Sequence, residues 1–183
     1  MPSVILEDES LRDGLQFEQK ILSTQEKLSL FHLLAESGVK RLQIGSFVHP
    51  KVVPQMADTE EFIQAVRSER PDVLITALVL NDKGLERALT CGLGHLSMSS
   101  SASNLHSQKN VKRPAEEAFA SLLELIRKAV EAGLAVRAGI QCAFGCVYEG
   151  AVAEARVVEM AGRLAENGAN ELNLADTTGM ANP

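Results

Sequence analysis

Along the chain, short apolar runs alternate with amphipathic stretches, and the alternation repeats. Val4-Ile5-Leu6 opens the series as a predicted strand, followed by a polar loop from Glu7 to Leu22. Ser23-Thr24-Gln25-Glu26 has the spacing of a capping box, in which the serine hydroxyl serves free amides and the glutamate reaches back. Leu28, Phe31, Leu33 and Leu34 follow near helical spacing, and Gly38 marks the stop. Arg41 to Phe47 is the next strand. Asp58 is expected to cap a helix bearing Phe62, Ile63 and Val66. Pro71-Asp72 breaks that pattern before Val73 to Leu80, an apolar run of the kind buried on both faces. A helix from Asp82 to about Cys91 ends at Gly92, and a weak strand covers His95 to Ser99. The serine-rich stretch Ser97 to Ser107 reads as a flexible, solvated loop. A long helix from Pro114, a good first-turn residue, runs to Ala132. Strand Ala135 to Ala143, helix Ala151 to Asn167 and strand Glu171 to Ala175 complete the pattern.

Strands separated by helices imply right-handed crossovers and a parallel sheet. Six such strands suit either an open doubly wound sheet or a (β/α) barrel. The phosphate-binding pattern Gly-x-Gly-x-x-Gly follows none of them, which lowers the dinucleotide-fold reading. A closed barrel needs eight units, so the barrel reading is an incomplete TIM (β/α)8 barrel, with association expected through its unpaired edges or as a homo-oligomer. No linker composition interrupts the series, so residues 1–183 are read as one domain.

Composition narrows the partners. Hydrophobic residues make up 45% and charged ones 23%, the mix of a globular chain. A formal charge of −6 argues against a nucleic-acid backbone or an anionic membrane as the main partner. No apolar run approaches the ~20 residues that span a bilayer. Met1-Pro2-Ser3-Val4 lacks the basic start of an export signal, so a cytoplasmic location is expected. Cys91, Cys142 and Cys146 are an odd number without paired spacing and are read as reduced, buried thiols.

In parallel α/β architectures, sites collect where strands end. Those ends carry Arg12-Asp13-Gly14-Leu15-Gln16 after the first strand and Gln43 and Ser46 in the second. Gly145-Cys146-Val147-Tyr148-Glu149-Gly150 follows the fifth, and Asn173 and Asp176-Thr177-Thr178-Gly179 close the sixth. Asp13 beside Arg12 suits a hard cation next to a fixed positive charge, a pair fitted to an enolate or carboxylate. The same two residues could equally form a structural ion pair. Asp176 could simply cap the following turn, and Tyr148 could be a packed ring.

These segments, together with Ser46-Phe47-Val48-His49-Pro50-Lys51-Val52-Val53-Pro54-Gln55-Met56-Ala57-Asp58, resemble the DRE-TIM metallolyases. Within that superfamily they look most like the hydroxymethylglutaryl-CoA lyases, with their pyruvate-carboxyltransferase-type domain. The resemblance covers essentially the whole chain. It implies a TIM barrel that splits 3-hydroxy-3-methylglutaryl-CoA, or a similar acyl-CoA, into acetyl-CoA and a keto acid with Mg²⁺ or Mn²⁺. By the same resemblance Asp13 is a metal ligand and Arg12 polarises the carbonyl that becomes the enolate. Gln16, Gln43, Ser46, Tyr148 and Asn173 serve the substrate, and Asp176 joins the catalytic set. Two features depart from the pattern: Gln43 stands where these lyases usually have Glu, and Asp8-Glu9-Ser10-Leu11 resembles the aldolase and synthase branches. The family's His-x-His metal pair and Gly-rich Cys loop have no counterpart in these 183 residues, so the chain alone is expected to be inactive. The alternatives are another superfamily aldolase or Claisen-type synthase, or an inactive partial barrel serving as a binding partner.

Overall fold

The computed structural model describes residues 4–67 and 69–182. Met1-Pro2-Ser3, on which the reading of the N-terminus rests, lie outside the described residues. Six strands, β1 (Glu7–Asp8), β2 (Arg41–Ser46), β3 (Leu74–Leu78), β4 (His95–Ser101), β5 (Ala135–Gln141) and β6 (Glu171–Leu174), form one sheet in chain order. Sequential order is what successive right-handed crossovers produce, and it is the order of the first six strands of a (β/α)8 barrel. The helices are α1 (Thr24–Glu36), α2 (Thr59–Arg67), α3 (Asp82–Thr90), α4 (Asn104–Val111), α5 (Ala115–Glu131) and α6 (Glu154–Glu166). Two compact units divide at Leu96/Ser97, within β4.

In the first unit the capping box forms as expected: Ser23 accepts from the Glu26 amide, and the Glu26 carboxylate accepts from the Ser23 amide at 2.8 Å. From that start, α1 buries Lys27, Phe31 and Ala35, one residue per turn. Phe31 meets Phe62 of α2 edge to face at 6.2 Å between ring centres, and Leu42 and Ile44 of β2 are likewise buried. Lys27 lies in this apolar seam because Asp58 and the Gln55 carbonyl take its ammonium; a buried charge without such partners would be costly. Asp58 precedes α2, where its carbonyl accepts from the Phe62 amide at 2.9 Å, and its carboxylate is turned to Lys27 and Thr24. Gly45 is glycine by necessity. A Cβ there would stand 2.7 Å from both Cγ2 and Oγ1 of Thr59, whose hydroxyl reaches the carbonyls of Ser46 and Met56.

The opposite face of β2 is polar. Arg41 pairs with Glu7 at 2.9 Å, and Thr76 donates to the same carboxylate at 3.1 Å. That pairing corrects the first strand. The apolar run Val4-Ile5-Leu6 is exposed, and β1 is instead Glu7–Asp8, set against Arg41 and Leu42. Polar complementarity with β2 outweighs the local apolar signal.

In the second unit β5 and β6 pair in parallel, Arg137 opposite Glu171 and Gly139 opposite Asn173. Phe119, Ile126 and Ala129 of α5, Met160 and Leu164 of α6, and Val136, Ala138 and Ile140 of β5 form its aliphatic core. The serine-rich stretch is not a flexible loop. Ser97, Ser100 and Ser101 are buried in β4, and Ser103 caps α4 by accepting from the His106 amide at 3.1 Å. Serine here is small enough for a crowded strand, and Ser101 Oγ accepts from the Ser103 amide at 3.1 Å. Pro114 stands at the N-cap of α5, one position before its first turn.

Candidate active site

The first candidate residues are shaped by an irregular helix. Ser10–Gly14 winds as a π-helix, a form that recurs at functional positions. The Glu9 carbonyl accepts from the amides of Arg12 (3.1 Å), Asp13 (2.7 Å) and Gly14 (3.4 Å), and the buried Leu11 anchors the turn. Consecutive residues Arg12 and Asp13 are thereby presented together at the end of β1.

Each nitrogen of the Arg12 guanidinium has an acceptor. Its Nε donates to Gln43 Oε1, one Nη to Glu9 Oε2, and the other Nη to Asp13 Oδ1 at 2.5 Å. Gln43 Nε2 in turn faces Glu9 Oε1 at 3.4 Å, and Gln16 Nε2 donates to Asp13 Oδ1 at 3.1 Å. The β1–β2 register explains the meeting: Glu7 opposite Arg41 and Asp8 opposite Leu42 bring Glu9 beside Gln43. Arg12, Asp13, Gln16 and Gln43 are therefore brought together by direct hydrogen bonds. Glu9 is the residue that sequence reasoning missed. Its signal was the shared alternation of Glu7-x-Glu9 and Arg41-x-Gln43, legible once those strands are paired.

Ser46 is buried on the same strand, but its hydroxyl accepts from the Val48 amide at 3.3 Å and shapes the chain reversal. His49 Nδ1 accepts from the Lys51 amide at 3.1 Å.

The remaining candidates belong to the second unit. Tyr148 lies half exposed under Lys109, whose Nζ is 4.7 Å from the ring centre. Asn173 is set opposite Gly139, with Nδ2 3.7 Å from where a Cβ on that glycine would be. Asp176 accepts from the amides of Met180 (2.7 Å) and Ala181 (3.2 Å), which is the turn-capping arrangement.

The first-unit cluster has one cationic and two anionic side chains, Arg12 against Glu9 and Asp13, for a formal charge of −1. An enolate would be repelled by that balance; a divalent cation would reverse its sign. Carboxylate and carboxamide oxygens are also the donors that hard cations prefer. In kind, then, the residues fit Mg²⁺ or Mn²⁺. In number they supply part of a ligand set: among the described residues no group of three or more His, Cys, Asp or Glu comes together for a metal. No helix among the described residues is long and apolar enough to cross a membrane.

Comparison with known proteins places the chain in a family. The HMGL-like family matches residues 3–183. Mitochondrial hydroxymethylglutaryl-CoA lyase of Macaca fascicularis is 37% identical over 172 residues, 94% of this chain and 53% of that protein. Hydroxymethylglutaryl-CoA lyase from Pseudomonas aeruginosa superposes with a TM-score of 0.91 at 34% identity, covering 97% of this chain and 59% of the other. An HMG-CoA lyase from Acinetobacter baumannii, solved with coenzyme A and 3-methylmalate, gives 0.90 at 32% identity, covering 98% and 58%. The chain thus spans rather more than half the length of these relatives. With the strand order of an incomplete TIM barrel and a family match along nearly its whole length, the chain belongs to the HMGL-like family.

Proposed function

We propose that the protein is a metal-dependent carbon–carbon lyase. Its substrate is 3-hydroxy-3-methylglutaryl-CoA or a closely similar acyl-CoA, and its products are acetyl-CoA and a keto acid. The observation that carries the proposal is the fixed Arg12 guanidinium between Glu9, Asp13 and Gln43. As the C3 hydroxyl gives up its proton and becomes the ketone, the bond between C2 and C3 breaks and leaves an electron pair on C2, delocalised onto the thioester oxygen as an enolate that a proton then converts to acetyl-CoA. Arg12 stabilises that developing charge with no rearrangement of its own, because three acceptors already hold its plane. Asp13 is the proposed ligand of a divalent cation, which when bound supplies positive charge against substrate oxygens. Gln16 orients the Asp13 carboxylate, and Gln43 and Glu9 orient Arg12. Ser46, Tyr148, Asn173 and Asp176 are proposed to serve the substrate, Asp176 by shaping the turn after β6. The complex of an HMG-CoA lyase with coenzyme A supports an acyl-CoA as the ligand class.

The test is acetoacetate release from 3-hydroxy-3-methylglutaryl-CoA in the presence of Mn²⁺ by the native gene product. Release that falls at least about a hundredfold in kcat for Arg12→Ala, with a smaller change in KM, supports the assignment, because the lost interaction is one made with charge that develops during cleavage. No release by the native protein, or a loss confined to KM, overturns it.

A further inference from the structure

The second unit holds a buried sulfur cluster that this chemistry does not use. Cys146 Sγ is wholly buried and accepts from the Ser103 hydroxyl at 3.0 Å and from the Tyr148 amide at 3.4 Å. The Cys142 thiol also donates toward it, while the Glu149 amide donates to the Cys146 carbonyl at 3.2 Å and closes the turn. Cys142 is equally buried, takes a left-handed backbone (φ 56°), and is pinned by its own amide on Thr177 Oγ1 at 2.8 Å. Donors converging on one sulfur are the surroundings that favour a thiolate. Burial pushes the Cys146 thiol up, but these donors outweigh it and leave the group below its ordinary value. At Cys142 and Cys91 burial dominates, and both thiols are raised. The cluster therefore pairs a stabilised sulfur with a protonated neighbour that donates to it.

We propose that Cys142 and Cys146 form a peroxide-reactive dithiol, with Cys146 as the attacking sulfur and Cys142 as the resolving one. The Cys146 thiolate attacks one oxygen of hydrogen peroxide, the O–O bond breaks, and the departing hydroxide takes a proton to become water. Cys142 sulfur then attacks the Cys146 sulfenic acid. The S–O bond breaks, the hydroxyl leaves with the Cys142 proton as a second water, and an S–S bond remains. Two thiols and one peroxide become one disulfide and two waters; the sulfurs lose two electrons and the peroxide gains them. Cys146 is reached when the loop around it opens: its neighbours Phe144, Val147 and Tyr148 are each about half exposed, and the oxidant is scarcely larger than water.

The disulfide would remove the acceptor shared by Ser103 and Tyr148. Ser103 caps α4, which carries Lys109 over the Tyr148 ring, so oxidation should be felt at that ring. Tyr148 is the single tyrosine and the chain has no tryptophan, so tyrosine fluorescence reports this loop alone.

The experiment treats the folded chain with hydrogen peroxide, alkylates the remaining thiols, and maps the peptides by mass spectrometry. The proposal expects the peptide containing Cys142 and Cys146 to lose two hydrogen masses before Cys91 changes, with a parallel change in tyrosine emission that dithiothreitol reverses. Cys142→Ser is expected to stop at a sulfenic acid on Cys146 that dimedone traps. Cys91, also buried, is the control within the same molecule. Oxidation of Cys91 as fast as the pair, direct over-oxidation of wild-type Cys146 without a disulfide, or no reaction at the pair overturns the proposal. The wild-type comparison with Cys91 decides the matter even if the variant fails to fold.

Discussion

Arg12 shows how much one side chain depends on its neighbours' positions. Its guanidinium has three acceptors, two of them carboxylates, yet only Asp13 is adjacent in sequence. Arg12 and Asp13 were singled out in the sequence by their place after the first strand, and Gln16 and Gln43 by the resemblance of their segments to the family. Glu9 was not, because the π-helix and the β1–β2 register that deliver it are tertiary outcomes rather than local patterns. Glu9→Gln keeps the shape and removes one charge from a partly buried pair. It is expected to cost about 1 kcal/mol in urea unfolding, and in the native gene product to lower kcat without a matching rise in KM. A variant with unchanged kcat would remove Glu9 from the positioning of Arg12.

At the scale of elements, clear local chemistry was readable and competition between signals was not. The box of Ser23 and Glu26 announced α1 directly. Lys20, followed by the amide and hydroxyl of Ser23, holds the Glu26 carboxyl down to about 2 from its ordinary 4.5. A carboxylate depressed in the folded state stabilises fully above its unfolded value. That contribution should disappear as pH falls from about 4.5 through about 2. Lys20→Ala is expected to raise the Glu26 midpoint in a carbon-detected NMR titration and narrow this window; an unmoved midpoint would refute the cause. The run Val4-Ile5-Leu6 misled because an apolar triplet states no partner, while Glu7 has Arg41. Ser97–Ser107 misled because serine's polarity suits a loop, whereas its small size also suits a crowded strand. Packing is as exacting at Gly45. Gly45→Ala should lower stability by about 2 kcal/mol, and adding Thr59→Ala should recover part of the loss by clearing Cγ2 and Oγ1. Urea midpoints of the single and double variants measure both.

For the molecule as a whole, alternating strands and helices were sufficient to foresee the sequential sheet, since crossover handedness leaves few other orders. The same pattern did not reveal where the contact network divides, because β4 is continuous through Leu96/Ser97. With no group of three metal-capable His, Cys, Asp or Glu side chains among the described residues, this 183-residue chain is expected to bind Mn²⁺ weakly. Its turnover of 3-hydroxy-3-methylglutaryl-CoA should stay far below an ordinary enzymatic rate of about 1 s⁻¹. Calorimetry and an acetoacetate assay check the two expectations. Lys27 also gives the chain a clock for its own breathing. The other lysines are exposed, whereas its amine is sealed between α1 and the segment before α2 by Asp58 and the Gln55 carbonyl. Under a pulse of acylating reagent its modification must wait for α1 to lift away, so the lag of Lys27 behind Lys20 and Lys40 times the opening of that seam.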